Sequence, residues 1–117
     1  MIQLTQDSLL RGRLTLWQPA RGAGYRFNLD PVLLAGFATP ATHYVDLGAG
    51  CGVMGLLLLA TGKAETVTLV EVDPEMAELC RRNAESNGFS ERVQVVHSDI
   101  RNLIPQAPKF YDGVIFN

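Results

Sequence analysis

One run of residues, Val45-Asp46-Leu47-Gly48-Ala49-Gly50-Cys51-Gly52, constrains this chain more than any other, because Val70-Glu71-Val72-Asp73 follows it about twenty residues later. The first run reads as a buried strand ending in an acidic residue and a glycine-rich turn. The second reads as another apolar strand with a carboxylate at its tip. Glycine lets backbone approach a ligand closely, since no Cβ stands in the way. A carboxylate at the end of the next strand can accept both hydroxyls of a ribose. Together they point to a pocket for an adenosine-containing molecule.

Two such molecules compete for it. Gly50-Cys51-Gly52-Val53-Met54-Gly55 fits the spacing G-x-G-x-x-G, and Glu71 lies at the distance expected for a dinucleotide ribose. The glycines begin earlier, however, at Gly48, with Asp46 just before them. A carboxylate there would repel a pyrophosphate in a partly dry pocket. S-adenosylmethionine carries an ammonium and a sulfonium and no phosphate, so the sequence favours it over a dinucleotide.

Strand and helix signals alternate along the chain. Leu14-Thr15-Leu16-Trp17 reads as a short strand, and Pro19 to Gly24 as a turn-rich connection. Asp30-Pro31 opens a helix, with Asp30 as N-cap and Pro31 at the first helical position, and Pro40 ends it. Core strands are expected at Tyr44 to Leu47, Thr66 to Val70, Val93 to Val96 and Gly113 to Phe116. Helices are expected over Val53 to Thr61 and from an Asp73-Pro74-Glu75 cap to Asn87-Gly88. The pattern predicts a parallel α/β sheet, Rossmann-like, with helices on both faces. Residues 1–40 read as a leader and helix over the site, and residues 41–117 as the α/β part of one domain.

Composition narrows the function. The chain has 117 residues, 47% of them hydrophobic, with a mean hydropathy of +0.10, ordinary for a globular domain. It has no apolar run of the length a membrane span needs, and Met1 to Gln6 lacks the features of a signal peptide. Cys51 and Cys80 do not form a disulfide framework, which suits a reducing cytoplasm. His43 and His97 share no metal spacing with them, so no metal site is expected. The net charge of −2 is uneven: residues 1–29 carry +3 and the remainder −5. Trp17, Tyr25 and Phe27 are interleaved with Arg11, Arg13, Arg21 and Arg26, a pattern that suits either RNA contact or a solvated leader whose aromatics cover the sheet edge.

Across almost its whole length the chain resembles the class I S-adenosylmethionine-dependent methyltransferases. Asp46-Leu47-Gly48-Ala49-Gly50-Cys51-Gly52 resembles that family's first motif, whose turn holds the methionine end of the cofactor. The resemblance implies that Glu71 binds the ribose, that Val72 packs on the adenine, and that Asp99, with Ile100 beside it, accepts the adenine amino group. Phe110-Tyr111-Asp112-Gly113-Val114-Ile115-Phe116-Asn117 resembles the strand leading into an Asn-Pro-Pro-aromatic motif, of which only Asn117 is present. In relatives that asparagine, with the adjoining proline carbonyl, orients a planar amino group toward the methyl carbon, so Asn117 is the candidate catalytic residue. The leader, from Gly12-Arg13-Leu14 through Gly24-Tyr25-Arg26-Phe27-Asn28-Leu29-Asp30-Pro31, resembles bacterial tRNA adenine-N(6) methyltransferases. It implies that Tyr25 to Asp30, Asn28 among them, lie near the methionine carboxylate.

A complete sheet of this class has seven strands, and four core strands are legible here. The chain is therefore expected to be the cofactor-binding part of such an enzyme, truncated after the fourth core strand. It is expected to be inactive alone, and either to be marginally stable or to self-associate through its C-terminal strand. The substrate is expected to be adenine in tRNA or another nucleic acid, with protein glutamine or DNA adenine as alternatives. A fragment that holds cofactor without chemistry is the third reading.

Overall fold

The computed structural model describes residues 2–24, 26–102 and 112–116. Two strands, β1 (Leu4–Leu9) and β2 (Leu14–Pro19), form an antiparallel hairpin, in which Leu9 faces Leu14 and Leu4 faces Pro19. Helix α1 (Leu29–Phe37) follows. Then strand and helix alternate: β3 (His43–Leu47), α2 (Val53–Ala60), β4 (Thr66–Glu71), α3 (Pro74–Ser86), β5 (Val93–His97) and β6 (Gly113–Phe116). The last four strands make one parallel sheet in the order β5-β4-β3-β6.

That order explains where the helices lie. The steps from β3 to β4 and from β4 to β5 move the same way across the sheet, so right-handed crossovers place α2 and α3 on the same face. Tyr44, Val67, Leu69 and Ile115 of that face pack with Leu56, Met76, Leu79 and Cys80 in the main core. The opposite face carries a small cluster of Val45, Val70 and Val96 with Leu47 beside it. The expectation of helices on both faces is thus met on one face among the described residues. Between β5 and β6 the chain is described as far as Asn102, where it makes a single helical turn, Ile100–Asn102. Among the described residues β6 is an edge strand, and its Val114 and Phe116 are exposed.

The hairpin corrects the reading of residues 1–24. From sequence, β2 reads as a lone strand and β1 goes unseen, because its Thr5-Gln6-Asp7-Ser8 centre has no apolar alternation. The turn at the hairpin tip is left-handed at Leu10, Arg11 and Gly12, and only the last of these is a glycine, so the usual hairpin signal is missing. Leu14 and Leu16 are fully buried in the same core as Leu56 and Leu58, which makes the hairpin part of the domain's packing.

Helix α1 also starts earlier than expected. Its N-cap is Asn28, whose side chain accepts from the Asp30 amide at 2.9 Å, and not Asp30 itself. Pro31 then falls third in the helix, where its missing N–H costs nothing because the first-turn amides have no intrahelical partner. Asp73 caps α3 as expected, accepting from the Glu75 and Met76 amides. Lys63 Nζ donates to the Ala35 and Gly36 carbonyls and so holds the last turn of α1.

Candidate functional site

The site lies at the carboxyl ends of β3 and β4, beside the point where the strand order reverses between β3 and β6, as open parallel sheets favour. After Leu47 the chain bends away from the sheet. The Gly48 and Ala49 amides both donate to the Val70 carbonyl at 2.9 Å, which pins the start of the turn to β4. Gly48 has φ +76°, and a Cβ built there meets nothing within 4 Å. A larger residue would be strained and would project into open space above the turn.

Two cavities adjoin across this turn. One of about 310 Å³ lies over Asp46, Gly48, Ala49 and Gly50, with Phe27 and Met76 among its other walls. A smaller one of about 130 Å³ is bounded by Val72, Asp99, Ile100 and Ser98. Gly48 and Glu71 line both, so the two form one trough with Glu71 at its middle. The structure therefore brings together Asp46, Gly48, Ala49, Gly50, Glu71, Val72, Asp99 and Ile100. Asn28 does not line the larger cavity; its neighbours Phe27 and Pro31 do, while its own side chain caps α1. Asn117 and Tyr25 lie outside the described residues.

Asp46 is the unusual group. It is 1% exposed, and neither carboxyl oxygen has a hydrogen-bond partner among the described residues. Burial pushes its carboxyl up to about 7; the Gly55 amide favours the charged form without closing a full bond, and Glu71 repels it. Glu71 is raised as well, first by burial, although the Val72 amide donates to its Oε2 at 3.0 Å. Asp99 behaves oppositely. The Arg101 side chain grips it through Nε at 3.0 Å and a terminal nitrogen at 2.7 Å, and the Arg101 amide adds a bond at 2.9 Å. Its carboxyl is held down at about 2, chiefly by the Arg101 side chain. Two carboxylic groups that resist ionisation thus face the larger cavity, and a firmly ionised acceptor stands at the smaller one.

Sequence reasoning reached Phe27 only as part of the Tyr25 to Asp30 stretch, and it missed Pro31, Met54, Asp73 and Met76 as lining residues. Met76 follows Glu71 by little more than one helical turn's length of chain, and that proximity was the available signal. Two aromatic residues of the leader are otherwise engaged than the RNA-stacking pattern suggests: Phe27 faces the cavity, and the Trp17 ring is covered by Arg82 at 4.1 Å. Among the described residues, no cluster of three or more His, Cys, Asp or Glu side chains could hold a metal, and no helix is long and apolar enough to cross a membrane.

A parallel sheet whose first strand ends in a glycine turn, with an acid at the end of the next, defines an α/β protein built around an adenosine-type cofactor site. The family model described as the methyltransferase small domain matches residues 30–117, and the chain belongs to that family. It is 36% identical over 98 residues to the tRNA1(Val) (adenine(37)-N6)-methyltransferase of Pedobacter heparinus, covering 82% of this chain and 41% of that one. The chain spans about two fifths of the length of the curated relatives it matches. Its fold is shared with the M. jannaschii tRNA m1G37 methyltransferase, with a TM-score of 0.74 and 21% identity, covering 99% of this chain and 35% of the other. It is also shared with M. capricolum TrmK, solved with S-adenosyl-homocysteine, with a TM-score of 0.69 and 13% identity, covering 79% and 41%.

Proposed function

We propose that this chain is the cofactor-binding part of an S-adenosylmethionine-dependent methyltransferase acting on the exocyclic amino group of adenine in tRNA. The observation that carries the cofactor reading is the trough: a glycine turn on its floor, Glu71 at its centre, and the unpartnered Asp46 carboxyl buried beneath the turn. A buried acid without a partner costs stability unless a ligand compensates it, and a cationic ligand compensates it best. The residues therefore fit the cofactor better than they fit a pyrophosphate.

When bound, S-adenosylmethionine supplies a methyl group made electrophilic by its sulfonium. The chain's own residues bind and orient. The Gly48–Gly50 turn admits the ligand to the backbone, and Glu71 is placed to accept ribose hydroxyls. Val72 and Ile100, both exposed, offer apolar surface for a base beside the Asp99 acceptor. Because Arg101 keeps Asp99 ionised, that carboxylate accepts and does not donate, which suits a 6-amino purine. Asn117, directly after β6, is assigned the orientation of the substrate amino group, and alignment rather than a strong base supplies the acceleration.

Calorimetry of the chain with S-adenosylmethionine, S-adenosylhomocysteine and NAD tests the reading. The first two are expected to bind and NAD is not. Glu71→Ala is expected to weaken binding by about 1.5–3 kcal/mol, the range for hydrogen bonds to a charged group. Binding of NAD alone, or an unchanged affinity in the variant, would remove Glu71 and the trough from the cofactor site.

The tRNA assignment is supported by the activities named for the curated relatives and by the basic leader. Two of the leader arginines serve the fold: Arg13 donates to the Ala60 carbonyl at the end of α2, and Arg26 binds Thr5, the Pro19 carbonyl and Asp7. Arg11 and Arg21 are exposed and have no ion-pair partner among the described residues. Replacing these two by glutamine in the full-length enzyme is expected to lower tRNA affinity and to reduce the salt slope of binding by about 1.5, since each phosphate left unneutralised takes slightly less than one from the slope. An unchanged slope would assign RNA contact to other surfaces, and methyl transfer to a glutamine-containing protein or to DNA would replace the substrate.

A further inference from the structure

Asn83 of α3 and Asn87, the residue that caps the end of that helix, stand one helical turn apart and meet alternate residues of β2. The Thr15 amide donates to Asn87 Oδ1 at 2.9 Å, and Asn87 Nδ2 donates back to the Thr15 carbonyl at 2.6 Å. The Trp17 amide donates to Asn83 Oδ1 at 2.7 Å, and Asn83 Nδ2 returns a bond to the Trp17 carbonyl at 2.9 Å. Four helical residues rise about 6 Å, and two strand residues about 6.6 Å. The two carboxamides therefore act as a neighbouring strand for the edge of β2 that β1 does not use.

Where Asn87 Nδ2 makes its other bond to the Asn83 carbonyl at 2.7 Å, Asn83 has a partner in the glycine turn. Its Nδ2 also donates to the Cys51 carbonyl in the glycine turn at 2.8 Å, and its side chain is completely buried. One turn earlier on the same helix face, the Cys80 thiol donates to the Gly50 carbonyl at 3.0 Å. α3 thus holds two successive carbonyls of the turn, and through Asn83 it ties one of them to the hairpin. The hairpin also reaches the opposite wall of the larger cavity: Gln18, 2% exposed, accepts from the Phe27 amide at 3.2 Å.

We infer that Asn83 is a positioning residue of the glycine turn, locking Cys51 and the hairpin together so that the turn keeps the shape its ligand needs. This rests on the cofactor reading above for the identity of the ligand, though not for the coupling itself. Asn87 is the built-in comparison, since it holds the same hairpin by the same chemistry and makes no bond to the turn.

Asn83→Ala and Asn87→Ala in the 117-residue chain separate the two roles. The first readout needs no ligand: labelling of the buried Cys51 thiol by an aromatic disulfide reagent, corrected for global unfolding. Asn83→Ala is expected to label about tenfold faster than Asn87→Ala, because local opening of the turn is what exposes the thiol. The second is calorimetry with S-adenosylhomocysteine, where Asn83→Ala is expected to bind about tenfold more weakly and Asn87→Ala within about twofold of the parent. Equal labelling rates in the two variants overturn the inference. Different rates in a chain that binds neither S-adenosylhomocysteine nor S-adenosylmethionine overturn the cofactor reading and support the coupling. Should Asn83→Ala fail to fold, amide exchange in the parent decides: bound S-adenosylhomocysteine is expected to slow exchange at Trp17 more than at Thr15. An equal response at both amides overturns the inference.

Discussion

Ligand-free protein is expected to lose stability as pH rises from about 4 to 8, and Asp46→Asn is expected to abolish most of that loss. The Asp46 carboxyl is raised from 3.8 to about 7 by burial. Below its unfolded value the group is protonated in both states, and its burial carries no charge penalty. Above that value the unfolded chain ionises freely while the folded one cannot, so stability falls until the pH passes about 7. The full difference is about 4 kcal/mol. Glu71, raised in the same direction, adds to the fall. Asp99, held at about 2 by Arg101, titrates below this window. Asp46→Asn removes the titration while keeping the shape, and should flatten the profile measured by urea unfolding at each pH. The same substitution should weaken S-adenosylmethionine binding, because the attraction between a carboxylate and a cationic ligand is lost. Binding to the parent near pH 6.5 should release protons, as a cation draws the carboxyl toward ionisation. Calorimetry in buffers of differing ionisation heat reads that release, and the variant should show much less, with only Glu71 left to contribute. A flat parent profile would mean that Asp46 is solvated or paired in solution.

This coupling of an unstable group to a ligand shows why the centre of the site was legible in the sequence. Asp46, the glycine turn and Glu71 belong to two buried parallel strands, whose apolar runs and terminal acids are local signals. Their spacing alone puts Glu71 near Gly48, because adjacent parallel strands end at the same edge. The periphery of the site was less visible. Phe27 reaches the cavity only because Gln18 and Arg26 hold its segment against the hairpin, through contacts between residues in separate elements. Arg101 is two residues from Asp99, yet nothing in the order of residues says whether the pair is formed. The start of α1 failed for a different reason. Asn28 and Asp30 are both good caps, and the choice falls to whichever side chain reaches an orphan amide. Strand β1 failed because a polar edge strand carries almost no pattern of its own.

Gly55→Val is expected to lower stability by about 3 kcal/mol, the upper range for overpacking a closed core. Gly55 sits in the first turn of α2, where the helix presses on β4. A Cβ built on it would lie 2.5 Å from Leu69 Cδ2 and 3.5 Å from Val67 Cγ2. Leu69 and Val67 are essentially unexposed, so the leucine has no free space to swing into. Helix propensity opposes the clash weakly, since glycine inside a helix is worse than most residues by under about 1 kcal/mol. Sterics therefore win. Gly36 supplies the contrast, because it lies in α1 with nothing within 4 Å of its added Cβ and without a positive φ. Gly36→Ala is expected to stabilise the protein by about 0.5 kcal/mol through propensity alone. Denaturant unfolding of both variants beside the parent measures the two effects in one experiment. The displacement caused by Gly55→Val should also reach the site, since the Gly55 amide is the group that favours the charged form of Asp46. Cofactor affinity should consequently fall even at temperatures where the variant stays folded. Parent-like stability and affinity in Gly55→Val would show that α2 can move off the sheet without disturbing the turn.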